Sequence, residues 1–219
     1  TLFLYTNFLT PENYGLVVFL LSSANVLMPL TAFGVQYTIV KFFSSYKTKV
    51  EKDRFLSMAI ILPLFIAIPI GFFGVIFYEK ITQLLSLENS LIQDYTYIIY
   101  LIAITTAYFE VFYSWSKVQL KSIFGNAIKE LFSRIMIMIL LLLVWLEVIN
   151  QHQFILYLTA SYFLRMFVMQ FYAFKLYMPK FSFHFPDNMK EVINYSGFII
   201  LAGSAGAILL DIDKVMLPA

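Results

Sequence analysis

Cysteine is absent from the 219 residues, which excludes disulfide staples, thiolate metal centres and thiol nucleophiles. Charge is scarce: Asp, Glu, Lys and Arg make up 13% of the chain, about half of the roughly 25% usual in a soluble domain. Only two histidines occur, His152 and His184, far apart and in segments that read as loops. His and carboxylate spacing of metal-site type is therefore missing. So are the G-x-S-x-G, H-E-x-x-H and P-loop patterns and any Gly-rich turn after a strand. Nothing supports a low-complexity tract, a nucleic-acid-binding surface or a soluble domain.

What remains is apolar. The chain is 61% hydrophobic and 19% aromatic, with 24 Phe and 15 Tyr, and its mean hydropathy is +0.81. A helix crosses the bilayer core with about 20 mostly apolar residues. Asn13–Val40, Phe55–Tyr78 and Val192–Leu210 carry no charge, and Tyr95–Ser116 carries only Glu110. Gln153–Phe174 carries only Arg165, and Ile135–Leu146 becomes long enough if its helix begins near Asn126. Thr1–Leu9 is apolar from its first residue and reads as the tail of an earlier span, not as a signal peptide. These runs are continuously apolar rather than alternating, which predicts helices and not barrel strands. The expected fold class is all-α: a polytopic transmembrane helix bundle with one partial and six nearly complete spans.

The loops predict the orientation. Lys41, Lys47, Lys49, Lys52 and Arg54 follow the second span; Lys117, Lys121 and Lys129 follow the fourth, with Arg134 just inside the fifth; Lys175, Lys180 and Lys190 follow the sixth. The alternate loops hold Lys80 as their one Lys or Arg, together with Glu12, Glu79, Glu88, Asp94, Glu147 and His152. Basic loops face the cytoplasm, so the N-terminus is expected there too.

Proline and glycine punctuate two spans: Pro29 and Gly34 in the second, Pro63, Pro69, Gly71 and Gly74 in the third. Such kinks serve packing or a transporter's hinge. Gly203 and Ala207 form a small-xxx-small pair in the seventh.

Charges within the spans are the candidate site residues. A centred Arg costs about 2.5–3.5 kcal/mol on insertion scales, so Arg165 should face the bundle or a wet cavity. Tyr162, Arg165, Met169 and Tyr172 share one helix face. Glu110, Ser114 and Lys117 form a similar stripe. By helical rise Glu110 lies roughly 9 Å and Arg165 roughly 15 Å from the cytoplasmic rim. A buried Glu110–Arg165 pair fixing the packing and a cationic cavity at Arg165 are both open. Glu130 and Arg134 fit a local i,i+4 pair, and Lys41 fits a snorkelling anchor. Asp211, Asp213 and Lys214 close the seventh span at its outer end, where they could cap it or coordinate a coupling cation or proton.

Phe8-Leu9-Thr10-Pro11-Glu12-Asn13-Tyr14-Gly15-Leu16 resembles the turn between the first two helices of bacterial polysaccharide export proteins. Ala32-Phe33-Gly34-Val35-Gln36-Tyr37 and Val40-Lys41-Phe42-Phe43 resemble the end of their second helix. Asp211-Ile212-Asp213-Lys214-Val215-Met216-Leu217-Pro218 is similar to their Asp-(Arg/Lys)-x-x-Leu-Gly run, with Lys for the usual Arg and Pro218 where Gly is commoner. The chain thus resembles the Wzx-type oligosaccharide flippases at its two ends and in topology between them.

The resemblance implies two six-helix lobes related by an internal repeat. Residues 1–178 would then be an N-terminal lobe with its first helix truncated, 179–190 a cytoplasmic linker, and 191–219 the first helix of the second lobe. It further implies a transporter rather than an enzyme, in the bacterial inner membrane. The cargo would be an oligosaccharide on undecaprenyl diphosphate, flipped to the outer leaflet for surface glycans such as O-antigen lipopolysaccharide. No bound cofactor is expected, only coupling to a proton or sodium gradient, and the glycan polymerase machinery is an expected partner. A diphosphate and sugar need a cationic, wet path, for which Arg165, Arg134 and Lys41 are the candidates. Glu110, Asp211, Asp213 and Lys214 are the candidates for coupling or pairing. A drug or cation antiporter of the same superfamily shares the architecture, and a membrane enzyme of polysaccharide assembly is the rival from another class.

Overall fold

The structure, a computed structural model, describes residues 9–87 and 89–201. It is helical, with no strand among the described residues. In chain order the helices are α1 (Pro11–Ala32), α2 (Val35–Phe42), α3 (Lys49–Ile76), α4 (Tyr78–Leu85), α5 (Thr96–Val118), α6 (Ser122–Ala127), α7 (Ser133–Trp145) and α8 (Gln151–Leu176). A further helix, α9, covers the described residues 189–201. Of these, α1, α3, α5 and α8 are each long and apolar enough to cross a membrane. A fifth rod runs through 122–145, where a π-helical turn at Ile128–Phe132 joins α6 to α7. At about 1.5 Å per residue it too reaches across a bilayer core.

Side-chain caps start three of the helices. Thr10 caps α1, accepting from the Asn13 amide and side chain, and Pro11 takes the first helical position, where a missing N–H costs nothing. The Thr-Pro-Glu-x-Tyr-Gly stretch is thus a helix start as well as a connection. Thr48 with Glu51, and Asn150 with Gln153, form capping boxes at α3 and α8.

The second span, read from sequence as one rod from Asn13 to Val40, is broken. Phe33 (φ 49°) and Gly34 (φ 65°) are both left-handed, at a cost of about 1–2 kcal/mol for a residue with a Cβ. The break persists because α9 is seated in it. A Cβ on Gly34 would stand 3.0 Å from the Ser196 carbonyl oxygen and 3.0 Å from Ile199 Cγ2. Further along α2, Thr38 Oγ1 meets Ser196 Oγ at 2.9 Å.

Successive rods alternate in direction, and hydrogen bonds tie their ends. At one end the Asn13 side chain donates to Gln151, Asn89 donates to the Glu12 carbonyl (3.1 Å), and Tyr95 pairs with His152 (2.8 Å). At the other end Tyr46 donates to Asn188 (2.6 Å), Tyr177 to Asp53 (2.7 Å), and the Ser182 amide to Ser57 (3.1 Å). The connections at this second end carry the basic residues, so it is the basic end. Lys80 is the one Lys or Arg in the far-end connections among the described residues.

Helix α5 is the axis, packed on α1, α2, α3 and α8. One apolar cluster fills the far half around Leu16, Phe19, Ile98, Ile102 and Phe154. A second fills the basic half around Ile39, Phe55, Phe109, Trp115 and Met169. Lipid tails are as apolar as these side chains, so close packing and interhelical hydrogen bonds hold the rods together. Tyr108 donates to the Ile60 carbonyl (2.9 Å) and Tyr100 to the Ala67 carbonyl (2.8 Å). Both acceptors lie on α3, whose ladder Pro63 and Pro69 interrupt at the Ala59 and Phe65 carbonyls, one and two residues from those acceptors. Large apolar side chains cover the outside, among them Phe65, Ile68, Met138, Phe167 and Phe171. Such a surface suits lipid and would be a liability in water.

Candidate functional site

The charged residues of the spans converge in the basic half, where α5, the π turn, α7 and α8 meet. Arg165 projects from α8 and is 7% exposed. Its guanidinium lies over the Phe109 ring at 4.3 Å and the Tyr162 ring at 5.0 Å. One N–H donates to Ser133 Oγ at 2.9 Å, and the Nε–H has no partner among the described residues. Among the described residues no carboxylate pairs with it. Cation–π attraction is worth about 2 kcal/mol or more when desolvated, and a buried unmet N–H costs about 1–3 kcal/mol. The result is a cation held by ring faces and one hydroxyl, with donor capacity left over.

Glu110 and Arg165 sit on neighbouring helices, α5 and α8. The Glu110 carboxylate nevertheless pairs with Lys129, at 2.7 Å. The π turn explains the choice. It holds Lys129 at its start and is followed by Ser133, so two side chains four residues apart reach inward together, Lys129 to Glu110 and Ser133 to Arg165. From sequence Lys129 reads as a loop residue and Ser133 as unremarkable. No signal in the residue pattern foretells a π turn, which adds one residue to a helical turn and is frequent at functional sites.

Tyr113 forms the floor beneath this pair. Lys117 Nζ stands 3.9 Å and Lys129 Nζ 5.8 Å from its ring centroid. Gly125 of α6 rests on the same ring: a Cβ there would come within 2.2 Å of Tyr113 Cδ2. The glycine permits the approach that brings Lys129 to Glu110. Ser114 is buried on α5, and the Tyr162, Arg165, Met169, Tyr172 face of α8 turns inward as its spacing predicts.

The other candidates stand elsewhere. Arg134 is exposed and pairs with Glu130 at 3.4 Å, one turn apart on the same rod. Lys41 lies over the Tyr195 ring of α9 at 3.8 Å and over Phe42 at 5.0 Å. Among the described residues Arg165, Arg134 and Lys41 share no hydrogen-bond, ion-pair or ring partner, so the fold does not gather them into one cluster. Asp211, Asp213 and Lys214 lie outside the described residues, as do Gly203 and Ala207. Among the described residues no group of three His, Asp or Glu could hold a metal ion.

Long apolar rods, a lipid-type exterior and a buried charged cluster define a polytopic α-helical membrane protein. The family model of the polysaccharide biosynthesis protein family matches residues 1–219, and the chain belongs to that family. No curated protein and no solved structure matched it.

Proposed function

We propose that the protein moves an oligosaccharide on undecaprenyl diphosphate from the cytoplasmic to the outer leaflet by alternating access, without making or breaking bonds. The observation that carries this reading is Arg165, a buried guanidinium with no carboxylate partner and an unmet N–H among the described residues. A diphosphate cannot enter hydrocarbon unaided, and a cation with spare donors at membrane depth offers it a counter-charge. The rod of 122–145 holds both Ser133 and Lys129, so a displacement of that rod would uncover Arg165 and separate Lys129 from Glu110 together. The basic end then faces the cytoplasm, following the distribution of Lys and Arg. Arg134 and Lys41 are secondary candidates, the first exposed on the moving rod and the second shielded by Tyr195. A proton or sodium gradient would drive the cycle, with Glu110 and the Asp211, Asp213, Lys214 group as its candidate sensors.

The test uses the full-length gene, deleted in its host and complemented with wild type, Arg165→Ala or Arg165→Lys. Intact lipid-linked units held on the cytoplasmic side, with synthesis continuing, are the expected phenotype of the deletion. Units that reach the outer leaflet and then fail to polymerise would replace the transporter by an enzyme. Normal glycan with altered drug sensitivity would replace it by an antiporter.

A further inference from the structure

Residues 13–40 carry no charge and are long enough for one continuous span, yet the rod is interrupted at Phe33 and Gly34, both left-handed. Glycine holds that conformation freely, whereas a residue with a Cβ does so at a cost. Both sides of the break are nevertheless hydrogen-bonded. The Phe33 amide donates to the Leu30 carbonyl at 3.2 Å and ends α1. The Gly34 carbonyl starts α2, accepting from the Tyr37 amide (3.1 Å), the Thr38 amide (3.2 Å) and Thr38 Oγ1 (3.1 Å). The break is thus a complete second conformation of the rod, lacking only a reason for Phe33 to stay in it.

Helix α9 supplies the reason. Gly34, Thr38 and Phe42 recur every four residues on α2, and Val192, Tyr195, Ser196 and Ile199 recur at three-and-four spacing on α9, so each helix offers one stripe. At the break a Cβ on Gly34 would press on both the Ser196 carbonyl oxygen and Ile199. One turn on, Thr38 meets Ser196 in a bond buried on both sides. At the basic end the Phe42 and Tyr195 rings stand edge to face at 5.6 Å, with Lys41 over Tyr195.

The other side of α9 is bare. Asn194, Phe198 and Leu201 are exposed, and a Cβ at Gly197 would meet nothing within 4 Å. Among the described residues α9 is held by one face, so it can leave without unpacking the α1–α5 core.

We propose that break and seat are the two parts of one switch. With α9 seated, the rod of 13–40 is held broken at Phe33 and Gly34; when α9 lifts away, Phe33 returns to right-handed helix and the rod straightens. Gly34 is the link. Its left-handed backbone presents the bare Cα to the Ser196 carbonyl, and straightening carries that face round the helix axis and off α9. The same rotation turns Lys41 away from Tyr195. This inference concerns how two helices move and does not rest on what the Arg165 cluster transports.

Spin labels read the rod and the seat separately. In the full-length protein in nanodiscs, otherwise free of cysteine, Glu12→Cys with Val40→Cys spans the rod. Val40→Cys with Phe198→Cys spans the seat, and all three positions are exposed. Double electron–electron resonance gives both distances. Ser196→Leu, which crowds Gly34, should lengthen the seat distance and carry the rod distance toward about 42 Å, the length of a straight helix between residues 12 and 40. Gly34→Ala, which disfavours the left-handed form, should do the same from the other side of the contact. Phe33→Gly, which removes the cost of the break, should keep the rod short even when combined with Ser196→Leu. Departure of α9 with the rod distance unchanged in Ser196→Leu would overturn the proposal, because the break would then belong to Phe33 and Gly34 alone. So would a rod that straightens with α9 still seated, or an α9 that neither substitution moves.

Discussion

Glu110 and Lys129 form an ion pair at 2.7 Å across α5 and the π turn, although Arg165 lies on a helix packed against α5. This pairing leaves the guanidinium to aromatic rings and Ser133, and it makes the π turn the part of the bundle on which both charges depend.

Breaking the pair from one side should cost more than removing it whole. Lys129→Met leaves Glu110, whose side chain is 12% exposed, without its cation. The expected loss is on the order of 1 kcal/mol, below the about 3–5 kcal/mol of a fully buried pair, because Lys129 itself is 42% exposed. Adding Glu110→Gln should restore most of it. Thermal melts of the purified protein in detergent would show the recovery, and an additive double variant would argue against the pair.

Gly125→Ala should displace Tyr113 and loosen α6, at about 1–3 kcal/mol for overpacking, since the new Cβ would fall within 2.2 Å of the ring. Tyr113→Ala in the same chain removes the obstruction. A melting temperature that rises from the single to the double variant is the expected sign; a further fall would mean that the ring itself carries the packing.

Tyr177 fastens the segment after α8 through its 2.7 Å bond to Asp53. Burial first, and then the bond to a carboxylate, push its hydroxyl well above the ordinary value of 10.0. A folded value raised above the unfolded one gives stability that is complete below about pH 10 and lost as pH rises through the folded value. Docking of residues 177–188 should therefore be insensitive to pH through the neutral range. Tyr177→Phe should make that segment cleavable by added protease at pH 7, while wild type becomes so only in strong alkali. Equal protease resistance in both would deny the bond its role.

The spans were legible because lipid demands uninterrupted apolar length, and the runs ending near Tyr78, Ser116 and Phe174 correspond to rods in the fold. The inward face of Arg165 was legible for the same reason, since a guanidinium has nowhere else to go at that depth. The break at Phe33 and Gly34 was not, because it depends on α9 pressing at Ser196 and Ile199, more than 160 residues away in sequence. Nor was the partner of Glu110. Helical spacing places side chains on faces, but a π turn shifts the face by one residue, and only the packed rods show where Lys129 and Ser133 arrive.

The most direct test of the transport account is an accessibility assay on lipid-linked oligosaccharide in inverted and right-side-out vesicles from the deletion strain carrying wild type, Arg165→Lys or Arg165→Ala at equal protein level. The account predicts that wild type delivers the glycan to the outer leaflet, that Arg165→Lys retains part of this activity, and that Arg165→Ala traps the intact glycan on the cytoplasmic side. Undiminished delivery by Arg165→Ala would contradict it.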